Sequence, residues 1–172
     1  MTKDQIIEEM KYLISETSEI VKEKIVVEEI RYQGKGHTPI QLGKGNISVY
    51  CFVYNGIFLK IGQAGKGNNA RYQKHHYKIS KNIGSSLAKS IQADDTEKPY
   101  SSLNNPDEIE KWIIENCERY DVIIKANNPG IDKQILNFIE GMFHYKYAPR
   151  YEGRIKSNKK ASPPDKSEQA QQ

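Results

Sequence analysis

Residues 46–77 read NISVYCFVYNGIFLKIGQAGKGNNARYQKHHY, and their reading decides the fold. Asn55-Gly56 stands between two runs of apolar, β-branched and aromatic residues. That pair favours a two-residue hairpin turn, because both of its residues tolerate positive φ. Residues 47–54 and 57–61 are therefore read as two antiparallel strands. The stretch Gly62-Gln63-Ala64-Gly65-Lys66-Gly67 is read as a glycine-rich loop that lets the backbone turn into a short basic helix carrying Arg71 and His75.

Toward the N-terminus, residues 3–24 are predicted to be helical. Thr2 and Gln5 have capping-box spacing, and Ile6, Ile7, Met10, Leu13, Ile14, Thr17, Ile20 and Val21 recur at three-four intervals as one apolar stripe. Glu8, Glu9, Glu16, Glu19 and Glu23 lie off the stripe, which is read first as core and second as an assembly seam. Residues 25–32 are β-branched and read as a strand. Residues 33–45 form a glycine-rich loop with Lys35, His37 and Lys44, longer than a plain connection needs and so a candidate groove-entering element.

Toward the C-terminus, residues 85–92 read as a short helix with a serine cap, and 93–104 as polar and irregular. Asn105-Pro106-Asp107-Glu108 is a helix start: a capping side chain, proline at the first position, then acids favoured by the dipole. Ile109, Trp112, Ile113 and Cys117 supply its buried side. Residues 120–126 read as a further strand, Asn127-Asn128-Pro129-Gly130 as a turn, and 132–147 as the last helix. Its inward face is Leu136, Ile139, Met142 and Phe143, continued by Ile135 and Phe138, with Glu140 at the edge. From Arg154 onward the composition is too polar to bury anything, so a disordered tail is expected. The expected fold is α+β, a small, mainly antiparallel sheet flanked by helices, with an N-terminal helix. It divides into 1–45, packed on the core; a core at 46–153; and the tail at 154–172.

With 37% hydrophobic residues in 172, the chain has room for one core. Its net charge of +4 is mild, but the distribution is uneven. No Asp or Glu occurs between Glu29 and Asp94, where an even spread would put about eight. The same stretch carries ten lysines and arginines, a one-signed region suited to a polyanion. Lys44, Lys66, Arg71, Lys74 and Lys78 are the expected contacts to nucleic acid; the competing reading is a solvated face with acidic neighbours folded nearby. Cys51 and Cys117 are read as buried thiols. The N-terminus resembles neither a signal peptide nor a membrane span, and a cytoplasmic protein is expected.

Residues Ser48-Val49-Tyr50, Lys60-Ile61-Gly62, Arg71 and Glu140 occur in the order that marks the GIY-YIG nuclease superfamily, which the chain resembles over residues 47–147. In that family the first triplet ends in tyrosine, the second ends in an apolar-glycine pair, an arginine follows on a helix and a single glutamate lies on a later one. Ser48 and Lys60 depart from its letters. Lysine in place of the second tyrosine occurs in its restriction-endonuclease branch. The resemblance implies a Mg²⁺-dependent (or other divalent-cation) DNA endonuclease acting on double-stranded DNA, as a monomer or homodimer. It implies Tyr50 as general base with Lys60 beside it, Arg71 on the scissile phosphate, and Glu140 as the metal ligand.

The residues themselves are compatible with those roles. A phenol ionises near 10, too high for a base at neutral pH, and a neighbouring ammonium stabilises the phenolate. Arg71 can grip a phosphate with two parallel donors. His75, four residues on, shares its helical face and can relay a proton, whereas His76 is read as packing or solvated. Mg²⁺ needs only one or two carboxylates besides water and phosphate. Two other classes stay open: a nucleic-acid-binding module without turnover, and an assembly protein using the first helix.

Overall fold

The computed structural model describes residues 1–21, 24–67, 70–79, 86–94, 103 and 105–151, apart from the side chains of Arg71 and Pro129. The predicted tail, and most of the irregular stretch 93–104, lie outside the described residues. The elements are α1 (Lys3–Val21), β1 (Val27–Gln33), β2 (Asn46–Tyr54), β3 (Ile57–Ala64), a π-helical turn (Arg71–His75), α2 (Leu87–Gln92), α3 (Pro106–Asn116), β4 (Glu118–Lys125) and α4 (Pro129–Tyr147). The four strands form one antiparallel sheet in the order β1-β4-β2-β3, flanked by helices, as the α+β reading expects.

The hairpin forms at Asn55-Gly56, where both residues take positive φ, 48° and 77°. β3 runs on to Ala64, so Gly62, Gln63 and Ala64 are strand and not loop; opposite them, Tyr50, Val49 and Ser48 supply the partner backbone. β2 is central and buried on both sides, which is why its sequence is nearly continuous in apolar residues. Ile47, Val49, Cys51 and Val53 face one layer; Tyr50 and Phe52 face the other.

The first layer is α1 and α4. Ile6, Met10 and Ile14 meet Leu136, Ile139 and Phe143 over the sheet. The stripe of α1 is thus core, although Ile20 at its end is 64% exposed. The capping box forms: Gln5 N–H donates to Thr2 Oγ1 at 3.3 Å, and Thr2 N–H to Gln5 Oε1 at 2.8 Å. Two expectations for α4 are corrected. Asn128-Pro129 is not a turn but a helix start, with Asn128 Oδ1 accepting from Gly130 N–H and proline in the first turn. Phe138 does not continue the buried face; it is 42% exposed, because the stripe through Leu136, Ile139 and Phe143 leaves it on the outer side.

The second layer is the π-helical turn, α2 and α3, whose Tyr72, Tyr77, Leu87, Ile91, Ile109 and Ile113 cover Tyr50 and Phe52. Asn105 and Ser86 cap their helices as their positions predict. The outer edge of β3 is met by the residues that follow α4: Arg150 and Tyr151 N–H donate to Phe58 and Leu59 carbonyls at 2.9 and 3.0 Å. Both cysteines are buried free thiols, Cys51 on the first side and Cys117 on the second. Among the described residues no helix is long and apolar enough to cross a membrane.

Candidate active site

Tyr50 and Lys60 stand on neighbouring strands of the hairpin. Tyr50 pairs with Gly62 and Phe52 with Lys60 across the ladder, so Tyr50, Phe52, Lys60 and Gly62 share the second face. Neither Tyr50 nor Lys60 has any measurable exposure. A solvated edge lysine, the ordinary fate of such a residue, is therefore not what Lys60 is. Gly62 makes room for Tyr50: a Cβ there would lie 2.8 Å from the phenolic oxygen and 2.9 Å from two ring carbons.

The partner of Tyr50 is His76, not His75. Its Nε2 shares a short hydrogen bond with the Tyr50 hydroxyl, and the two ring centroids lie 5.0 Å apart. The α-helical wheel puts His75 under Arg71, but the segment is π-helical, and its wider turn changes which residues face the sheet. Tyr72, His76 and Tyr77 are buried against the sheet while His75 is only half-buried. The backbone of Arg71 begins this turn; its side chain lies outside the described residues. Lys44, Lys66, Lys74 and Lys78 are all exposed. Lys78 lies 3.9 Å from Glu110 of α3, so the acidic-neighbour alternative is realised at that one lysine.

Beneath the turn sits a polar cluster that sequence reading did not single out. Arg119, buried on β4, donates from Nε to Asp121 Oδ1 at 2.9 Å and from Nη1 to Tyr77 Oη at 3.1 Å. Its guanidinium lies 4.3 Å from the Tyr72 ring centre and 5.3 Å from those of Tyr50 and Phe52. Gln33 of β1 donates to the other Asp121 oxygen at 3.0 Å. His37 Nδ1 faces the Cys117 carbonyl at 3.1 Å, which can only accept, so that nitrogen carries the hydrogen. Nε2 then accepts from the Tyr77 hydroxyl at 2.9 Å, and Tyr77 in turn accepts from Arg119. The direction of every hydrogen bond in this chain is determined.

The electrostatics follow. Burial works against the Arg119 charge, but Asp121 overrides it and raises the guanidinium pKa further, so the cation is permanent. Burial pushes the Tyr77 phenol up to about 12 even though Arg119 pulls the other way. Burial and then Asp121 raise Tyr72 as well. Both phenols are neutral at physiological pH. Burial, reinforced by the Arg119 charge, lowers His37 below its ordinary 6.5. The unfolded chain thus binds a proton at His37 more readily than the folded one. This contribution to stability is present above about 6.5 and is lost as pH falls below it, by at most about 1.4 kcal/mol per pH unit. Comparing denaturation midpoints at pH 7 and pH 5, we expect His37→Phe to flatten the loss seen in the native chain. An unchanged pH dependence in that variant would contradict the assignment.

The one signal for this cluster in the sequence is the spacing of Arg119 and Asp121. Two charges at i and i+2 share a strand face, here flanked by the apolar run 122–124. His37, in a loop expected to reach outward, is instead turned inward with Leu42.

Glu140 is held by Gln63. It leaves α4 on the first side of the sheet, where its Oε2 accepts from Gln63 Nε2 at 2.6 Å; that amide also donates to Asn137 at 2.7 Å. Gln63 opposes Val49 and so faces the first layer, while Tyr50 faces the second. Asp121, the carboxylate that does lie near Tyr50, is engaged by Arg119 and Gln33. Among the described residues no three of His, Cys, Asp and Glu lie together as a metal site. Glu140, the residue that would hold a divalent cation, has its Oε2 occupied by Gln63. Comparison of the chain with protein-family models, with curated proteins and with solved structures found no match.

Proposed function

We propose that the chain is a DNA endonuclease of the GIY-YIG type that uses the second face of its sheet. The observation that carries the reading is the hydrogen bond between Tyr50 and His76, on the face where Lys60 is buried and the basic turn begins. Tyr50 takes a proton from water as its own passes to His76 Nε2; the water oxygen bonds to phosphorus as the P–O ester bond breaks, and the leaving oxygen takes a proton from solvent. Lys60 and Arg119 favour negative charge on this face. Arg71, at the head of the turn, is the residue we assign to the phosphate. The resemblance gives the leaving oxygen to a Mg²⁺ on Glu140; the position of that carboxylate lends the step no support, and none is derived through it.

A second reading, a nucleic-acid-binding module without turnover, is favoured by two observations: Glu140 lies across the sheet, and Tyr50 is closed from solvent. Supercoiled plasmid incubated with the chain, with Mg²⁺ or with chelator, separates the two. Conversion to nicked or linear DNA is the expected result. Binding without cutting on DNA from several sources, weakening steeply with salt, establishes the module instead. Glu140→Ala run alongside decides whether that carboxylate belongs to the reaction: loss of cutting with binding retained assigns it, and full activity removes it.

A further inference from the structure

We propose that Arg119 is the positioning residue of this site: it clamps the π-helical turn onto the sheet so that His76 meets the Tyr50 hydroxyl. The inference rests on reading this face as catalytic. Its basis is that one guanidinium engages both ends of the turn. Tyr72, four residues before His76, has its ring centre 4.3 Å from the guanidinium carbon, and Tyr77, immediately after His76, accepts from its Nη1 at 3.1 Å. The same group is held from below by Asp121, which opposes Tyr50 in the ladder, while Arg119 itself opposes Phe52. His76 thus hangs between two contacts to a group whose place is fixed relative to Tyr50.

The chemistry of the side chain matters here. A planar guanidinium can lie against a ring with its face and donate from its edge at the same time. An ammonium in the same place keeps the charge but loses the flat face and the two-directional fork. A π-helical segment has poorer intrinsic support than an α-helix and depends more on such contacts. A group that only stabilised the second layer would not need to touch both flanks of one histidine.

The test uses the full chain with Arg119→Lys, and Arg119→Met/Asp121→Leu, which removes both charges together in case the lysine variant does not fold. Met10→Ala, in the first layer, serves as a control for general loss of stability. The first readout is the ¹⁵N signal of the His76 imidazole, assigned by its disappearance in His76→Gln, which reports the hydrogen bond to Tyr50 whether or not DNA is cut. The second is plasmid cutting. We expect the hydrogen-bonded His76 signal to be lost in both Arg119 variants. With it, kcat falls about 100-fold, the scale of a misplaced catalytic group, while KM changes by less than about threefold. Met10→Ala lowers the melting temperature and leaves both readouts in place. An unchanged His76 signal in both Arg119 variants overturns the clamp, as does an equal change in Met10→Ala. If the native chain cuts nothing, the nuclease reading falls, and the His76 signal decides the clamp alone.

Discussion

Asp121→Leu is expected to destabilise the protein by about 3–5 kcal/mol, the cost of leaving a buried charge without its counter-ion. Arg119 and Asp121 are both without measurable exposure, and their atoms meet at 2.9 Å. Removing the carboxylate leaves a guanidinium with one phenol oxygen and three ring faces, too little to replace water. For a domain whose whole stability is of order 5–15 kcal/mol, this is a large share. It corresponds to a fall of about 10 °C in melting temperature. The double variant Arg119→Met/Asp121→Leu should recover most of the loss, because apolar groups of similar volume need no counter-ion. Denaturant titration of native, single and double variants checks this. If single and double are equally unstable, the two residues are not acting as a pair, and the weight shifts to the Asp121–Gln33 contact.

The largest effect on activity is expected at position 50. Tyr50→Phe keeps the ring that fills the space over Gly62 and removes only the oxygen that His76 holds. Loss of a general acid–base group typically lowers a rate by about 100- to 10,000-fold, and plasmid cutting should fall within that range. Gel retardation of the same plasmid should be nearly unchanged, since the exposed lysines that would hold the DNA backbone are untouched. The His76 nitrogen left without its partner makes the variant about 1–3 kcal/mol less stable, so the comparison belongs well below the melting range. Cutting at the native rate by Tyr50→Phe would remove Tyr50 from the chemistry and leave the position a packing one.

Much of the architecture was legible because its signals are local. Asn55-Gly56 needs only the φ tolerance of two residues, and the starts at Thr2, Ser86 and Asn105 need only a side chain within reach of the next turn's N–H groups. The same logic applied at Asn128-Pro129 would have identified a helix start there too. Apolar spacing likewise assigned Ile6, Met10 and Ile14 to the core. Each of these is decided within a few residues of chain.

The site was less legible. Sequence spacing put Tyr50 and Lys60 on neighbouring strands, but the turn register alone would set Lys60 opposite Cys51; a bulge between Phe52 and Val53 moves it opposite Phe52, onto the face of Tyr50. It could not say which histidine Tyr50 meets: His75 and His76 are neighbours, and the choice turns on a π-helical segment whose stability comes from contacts with the sheet beneath it. Nor could it say that Arg119, Asp121, Tyr77 and His37 converge, since they come from β4, the turn and a loop that meet only when the sheet closes in the order β1-β4-β2-β3. Glu140 shows the same division. Its place at the edge of the α4 core face follows from periodicity. Which side of the sheet α4 covers depends on the path of the whole chain, and that path carries Glu140 to Gln63. Residue order alone thus determined the hairpin, the helix starts and the apolar stripes, whose free energies are settled between near neighbours; only tertiary structure decided which polar groups share a face, because burial on one side of a sheet is settled by every element that covers it.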